Sequence, residues 1–203
     1  MKTLNVAKKM VADNPVMLVE IDDIKDEEVV KEVTDAFTNL TYEDDDGVGI
    51  QIRSDIFMDF PTRHMFDEAF QTVTSLYKYL VKEEVSKAYQ SSWFFINKPD
   101  EGNSNFHHHT EFADKWTKST TTYTWTYYLQ LPDNCIDDEG KLGFQKFDDT
   151  SVVEYLEVFP KTLYIFSGAA WHRPMISPNS TKDRIVAAGN VCIANASKSF
   201  LFL

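Results

Sequence analysis

Histidine is scarce in this chain, with five in 203 residues, and three of them stand together in Asn105-Phe106-His107-His108-His109-Thr110-Glu111-Phe112. A fourth, His172, lies far downstream in Trp171-His172-Arg173-Pro174. Imidazole nitrogens and carboxylate oxygens are donors that divalent transition metals take. In an extended segment alternate side chains share a face. His107, His109 and Glu111 then point one way, and Phe106, His108 and Phe112 the other. His109 and Glu111 can both reach one ion with bonds of ~2 Å. The most economical set adds His172 from elsewhere in the fold. That is a 2-His-1-carboxylate triad, which holds non-haem Fe(II) on three corners and leaves the others open.

Donors this far apart need a frame to bring them together. At 203 residues the chain is expected to form a single domain (1–203) able to bury a sizeable core. Fifteen Phe and nine Tyr favour β-rich packing. A net charge of −12 repels phosphate backbones, so nucleic acid is not an expected partner. Cys135 and Cys192 show neither metal-type spacing nor disulfide-framework density and are expected to be reduced thiols. No apolar run of signal-peptide length follows Lys2, Lys8 and Lys9, and no segment nears the ~18–20 apolar residues that span a bilayer. A cytoplasmic protein with no membrane partner is the expectation.

Residues 16–21 form a short apolar run between Asn14-Pro15 and Asp22-Asp23 and predict a first strand. Residues 24–40 change period: Val29, Val30, Val33, Ala36, Phe37 and Leu40 follow helical spacing, with acids at the start. Residues 48–58 look extended. After Pro61 a long helix is predicted by the stripe Met65, Phe66, Ala69, Phe70, Val73, Leu76, Tyr77, Leu80 and Val81. From Ala88 onward the texture is short β-branched and aromatic runs (91–97, 120–131, 142–147, 152–159, 162–166, 184–193) separated by turn clusters. That pattern means a sandwich or jelly roll. The fold class is α+β, mainly β: an N-terminal α/β portion (1–87) whose helices pack on one sheet, and a β-rich core (88–203).

Taken together, these residues resemble the 2-oxoglutarate/Fe(II)-dependent oxygenases, which have a double-stranded β-helix (jelly-roll, cupin-like) core. The resemblance covers roughly half the chain, from Ser91 to Ile193. His109-Thr110-Glu111 matches the family's His-x-Asp/Glu motif. Thr124-Trp125-Thr126-Tyr127-Tyr128-Leu129 is similar to the strand that follows. Phe159–Phe166 with Trp171-His172-Arg173-Pro174 looks like the approach to the distal histidine, and Asp183-Arg184-Ile185 through Gly189-Asn190 like the Arg-led strand ending in Asn. In particular the chain resembles small prolyl-hydroxylase-like members common in tailed-phage genomes, so the expected cytoplasm is that of the cell or of the infected host.

The resemblance implies Fe(II) held by His109, Glu111 and His172, with 2-oxoglutarate as cosubstrate, O2 as oxidant and ascorbate as an accessory reductant. The far carboxylate of 2-oxoglutarate would meet Arg184, helped by Tyr128, with Thr126 and Asn190 on the same wall. Oxidative decarboxylation would yield succinate and CO2 and hydroxylate a peptidyl or small-molecule substrate, proline by analogy. Three departures stand out. Glu111 replaces the more usual Asp. Val186 stands where a Ser often follows the Arg. His107 creates His-x-His, so a three-histidine site of His107, His109 and His172, not using 2-oxoglutarate, is one alternative. A non-catalytic jelly-roll binding or virion-associated protein is another. His108 is expected to face away from the site.

Overall fold

The computed structural model describes residues 5–39, 50–53, 61–101, 105–110, 120–194 and 196–203. Among these the protein is mainly β, with two helices and two antiparallel sheets. No described helix is long and apolar enough to cross a membrane.

The chain begins with a hairpin of β1 (Val6–Val11) and β2 (Asn14–Glu20). Only β2 was legible in the sequence. In β1, Lys8 and Lys9 break the apolar alternation, and the turn lacks the usual glycine. Ala12 (φ 47°) and Asp13 (φ 61°) instead both adopt left-handed backbone, as a two-residue hairpin turn requires. The Asn14 side chain donates to Ala12 O at 2.9 Å, and Ala12 N–H donates to Glu154 Oε2 at 2.6 Å. The turn is therefore held from both sides.

Helix α1 (Asp26–Asn39) opens with Asp26, Glu27 and Glu28, whose charge complements the positive end of the helix dipole. Strand β3 (Ile50–Arg53) is the described part of the extended segment predicted at 48–58. Helix α2 (Thr62–Val81) buries Met65, Phe66, Ala69, Val73, Leu76, Tyr77 and Val81. It ends at Lys82 in the left-handed region (φ 64°), whose N–H caps Lys78 O. The aromatic runs become β4 (Ala88–Asn97), β5 (Thr120–Gln130), β6 (Leu142–Gln145), β7 (Val153–Leu156), β8 (Thr162–Ser167) and β10 (Arg184–Ala194). A three-residue strand, β9 (His172–Pro174), was not anticipated; its length is below what periodicity can reveal.

The larger sheet runs β1-β2-β8-β5-β10-β4-β3, and the smaller β7-β6-β9. Strand β10, between β5 and β4, is wholly buried, and its two faces do different work. Ile185, Ala187, Val191 and Ile193 join the helix-facing core, with Val29 and Val33 of α1 and the α2 stripe. Val186 joins a second core between the sheets, with Tyr128, Tyr164, Phe166, Leu142, Phe144 and Leu156. Both helices thus cover one face of the larger sheet, and the smaller sheet covers part of the other. Gly189 is required on the helix side: a Cβ there would lie 2.7 Å from Ser91 O and 2.8 Å from the Trp125 ring. Residues 199–203 are neither a closing strand nor a free tail. They form a 3-10 turn (Phe200–Phe202) that buries Phe200 and Leu201, with Phe200 stacked 4.4 Å from Tyr123.

Candidate metal centre

A pocket enclosing about 540 Å3, counted to its open mouth, lies between the sheets. Alternate residues of β5 (Thr124, Thr126, Tyr128) and of β10 (Val186, Ala188) form its wall, as the two-residue strand period dictates. His107, His109 and His172 line it together.

Backbone pairing brings the histidines to one place. His107 N–H donates to His172 O at 3.1 Å, and His172 N–H returns a bond to His107 O at 3.0 Å. His109 N–H donates to Gly168 O at 2.6 Å. Gly168 sits where a Cβ would come within 2.8 Å of Thr122 Cγ2, so the turn after β8 admits no larger residue there without displacing Thr122. The ring centroids are 4.5 Å apart for His107–His172, 5.1 Å for His107–His109 and 5.2 Å for His109–His172. One donor atom from each lies within 4.8 Å of the others. Three donors on one ion at ~2.1 Å lie about 3.0–3.6 Å from one another, so the widest pair has to draw in by roughly 1–2 Å, within reach of side-chain rotation. Borderline imidazole donors suit Fe, Zn, Cu or Ni, and the site fits a metal of that class.

His172 is the most firmly placed. It is 4% exposed and packs against Phe166 at 4.7 Å. Its Nδ1 donates to Ala170 O at 2.9 Å, which leaves Nε2 as the lone-pair donor. Segment 105–110 makes one bridge rather than a strand, but its side chains still alternate. His108 turns away to Trp171, 4.6 Å off, and its Nδ1 bonds Thr110 Oγ1 at 2.8 Å. Glu111 lies outside the described residues.

Burial holds the three imidazoles neutral. It pulls His109 down to about 3, with His107 and His108 beside it adding to the shift. Burial likewise lowers His107, and His172 to well below the usual histidine range. The sign for stability follows. Above pH 6.5 these groups are neutral both folded and unfolded; below it the unfolded chain gains protons that the folded chain refuses until about pH 3. The metal-free protein is therefore expected to lose thermal stability steadily as pH falls from about 6.5 toward 4. Unfolding temperatures measured across that range should decline less steeply in His109→Gln; equal slopes would contradict the linkage.

Arg184 is 2% exposed at the start of β10. Among the described residues no carboxylate pairs with it. Its Nε and Nη2 donate to Asn97 Oδ1 at 3.3 and 2.9 Å, and its Nη1 donates to Met175 O at 2.7 Å. Tyr128, 1% exposed, is pushed up to about 12 by burial, against the pull of the Arg184 charge, so its hydroxyl keeps its proton. Thr126 Oγ1 is buried without a partner in good geometry, although Tyr128 is its near neighbour. Asn190 accepts from Thr124 Oγ1 at 2.8 Å and does not line the pocket; its Nδ2 meets no acceptor among the described residues. Sequence reasoning missed Asn97 and the Met175 carbonyl. Nothing local marks either; only the strand register puts Asn97 opposite Arg184.

No family model and no curated protein matches the sequence. Solved structures are similar in fold, and prolyl hydroxylases are among them. The viral collagen prolyl hydroxylase of Paramecium bursaria Chlorella virus-1 matches with a TM-score of 0.55 at 14% identity, over 87% of this chain and 90% of that one. A prolyl-4-hydroxylase of Pseudomonas putida matches with a TM-score of 0.57 at 11% identity, over 93% and 92%. EvdO2 of Micromonospora carbonacea var. aurantiaca, solved in complex with 2-oxoglutarate, matches with a TM-score of 0.61 at 11% identity, over 96% and 94%. At such identities the likeness establishes the shared fold.

Proposed function

We propose that the protein is a non-haem Fe(II)- and 2-oxoglutarate-dependent oxygenase that hydroxylates a peptidyl or small-molecule substrate. In this reading the two sheets are a double-stranded β-helix core. The observation that carries it is a pocket lined by three neutral imidazoles and also by Asn97 and Tyr128, the two residues that adjoin the buried Arg184 guanidinium, which no described carboxylate neutralises. Burying an uncompensated cation is costly, and functional sites are where such costs are tolerated. Prolyl hydroxylases and a 2-oxoglutarate complex among the matched folds support the same class.

His109 and His172 hold the metal, with Glu111 as the third donor. Bound there with a 2-oxo acid, iron supplies oxidation of a substrate C–H bond by O2, coupled to formation of succinate and CO2. The chain's own residues do the rest. Neutral imidazoles offer lone pairs without first losing a proton. Arg184 and the protonated Tyr128 hydroxyl receive the far carboxylate, and the Val186 and Ala188 wall keeps water from it.

A second reading, a three-histidine iron oxygenase that does not use 2-oxoglutarate, is favoured by the place of His107 in the donor cluster. Fe(II), 2-oxoglutarate and O2 are expected to give succinate, even without a prime substrate, and anaerobic Fe(II) with 2-oxoglutarate a visible charge-transfer band. A folded protein giving neither would end the oxygenase proposal. Glu111→Ala is expected to lose the band and weaken Fe(II) binding by at least about a hundredfold, because loss of a ligand should exceed the roughly 10–100-fold cost of losing a supporting partner. His107→Ala should keep the band. The reverse result would select the three-histidine site.

A further inference from the structure

A buried arginine ordinarily draws a carboxylate to itself, because each ion desolvated alone is expensive. Arg184 instead has two amide-type oxygens, Asn97 Oδ1 and Met175 O. We propose that Asn97 determines cosubstrate specificity, as a neutral residue that fixes the Arg184 fork while leaving its charge for the far carboxylate of a dicarboxylic 2-oxo acid. The proposal rests on the function given above and names the residue that would make it selective.

Asn97 ends β4 directly across from Arg184, which begins β10 in the antiparallel register. Its oxygen takes the Nε and Nη2 edge of the guanidinium, at 3.3 and 2.9 Å. Guanidinium has donors only, so the carboxamide must turn its oxygen to Arg184. With Met175 O on Nη1, three of the five N–H groups are engaged. One N–H on each of Nη1 and Nη2 remains, a pair suited to a carboxylate. Asn97 is 3% exposed and lines the pocket, as does Tyr128, whose hydroxyl lies in the field of the Arg184 charge.

Aspartate has the same shape as asparagine and would satisfy the same two N–H groups. It would also cancel the charge. By Coulomb's law the two residues differ in a pair interaction that a partly desolvated site makes strong. Asparagine therefore gives up a buried ion pair, and an incoming dicarboxylate supplies it instead. A monocarboxylic 2-oxo acid of similar length has nothing to supply.

The full-length protein loaded with Mn(II) is used, so that binding is read without turnover. Dissociation constants are measured by calorimetry for 2-oxoglutarate and for 2-oxobutyrate, which lacks the far carboxylate, alongside unfolding temperatures. Wild type should prefer 2-oxoglutarate by at least tenfold. Asn97→Asp should unfold at the same temperature or higher and lose that preference, with 2-oxobutyrate binding within about twofold of wild type. Asn97→Ala should weaken 2-oxoglutarate severalfold yet keep some preference, because the charge remains. An Asn97→Asp protein that retains the full preference overturns the proposal. Should that variant not fold, unchanged 2-oxoglutarate binding by Asn97→Ala overturns it. Wild type with no preference overturns both this proposal and the role given to Arg184. Wild type that binds neither acid overturns the oxygenase reading itself.

Discussion

His172→Gln is expected to abolish succinate formation and to weaken Fe(II) binding by at least a hundredfold, with the fold retained. The size follows from how completely His172 is committed. Its Nδ1 is held by Ala170 O, its ring packs against Phe166, and its backbone is tied in both directions to His107. No other described residue can bring an imidazole to that position. Loss of a mere supporting hydrogen bond near a metal costs about 10–100-fold, so loss of the ligand should exceed that range. Glutamine fills much of the space between Phe144 and Phe166 and limits the cavity cost. Titration with Fe(II) under anaerobic conditions, together with a melting curve, checks both halves. A variant that binds iron as wild type does would remove His172 from the site.

Arg184→Met is the second large effect. The substitution removes the cation and keeps an unbranched apolar chain in place of the arginine stem. In the proposed cosubstrate complex two charge-assisted hydrogen bonds at ~1.5–3 kcal/mol each would be forfeited, which corresponds to roughly a hundredfold or more in affinity for 2-oxoglutarate. Stability should change much less. Asn97 Oδ1 and Met175 O lose their donors, at ~1–3 kcal/mol each, but a desolvated cation also disappears, and the two contributions oppose. The Michaelis constant for 2-oxoglutarate should therefore rise while binding of 2-oxobutyrate and the unfolding temperature move little. A collapse of stability with unchanged affinity for 2-oxoglutarate in the surviving folded fraction would make Arg184 a structural residue.

Both substitutions turn on residues that were conspicuous in the sequence, for different reasons. His172, one of only five histidines, and Arg184, which heads the apolar run 184–193, stand in the two blocks that carry the family resemblance. The helices were visible too. The α2 stripe from Met65 to Val81 repeats at the helical period, and that period is a property of consecutive residues alone. The same holds for the inward face of Thr124, Thr126 and Tyr128 on β5, which two-residue alternation places together.

What the sequence by itself determined, then, was whatever depends on near neighbours: the mainly-β class with two helices, the faces of the strands, and the opposed directions of His107 and His109 on one side and His108 on the other. Tertiary structure decided what depends on partners distant in the chain. It alone made β9, three residues long, by pairing His172 with Phe144 and bridging it to His107. It alone joined β1 to the larger sheet through a turn of Ala12 and Asp13 that residue preference would not choose. And it alone set Asn97 against Arg184, through a register between β4 and β10 that links residues 87 positions apart. The reason is physical: periodicity is written in the backbone's own geometry, whereas register is settled only when whole strands are buried together.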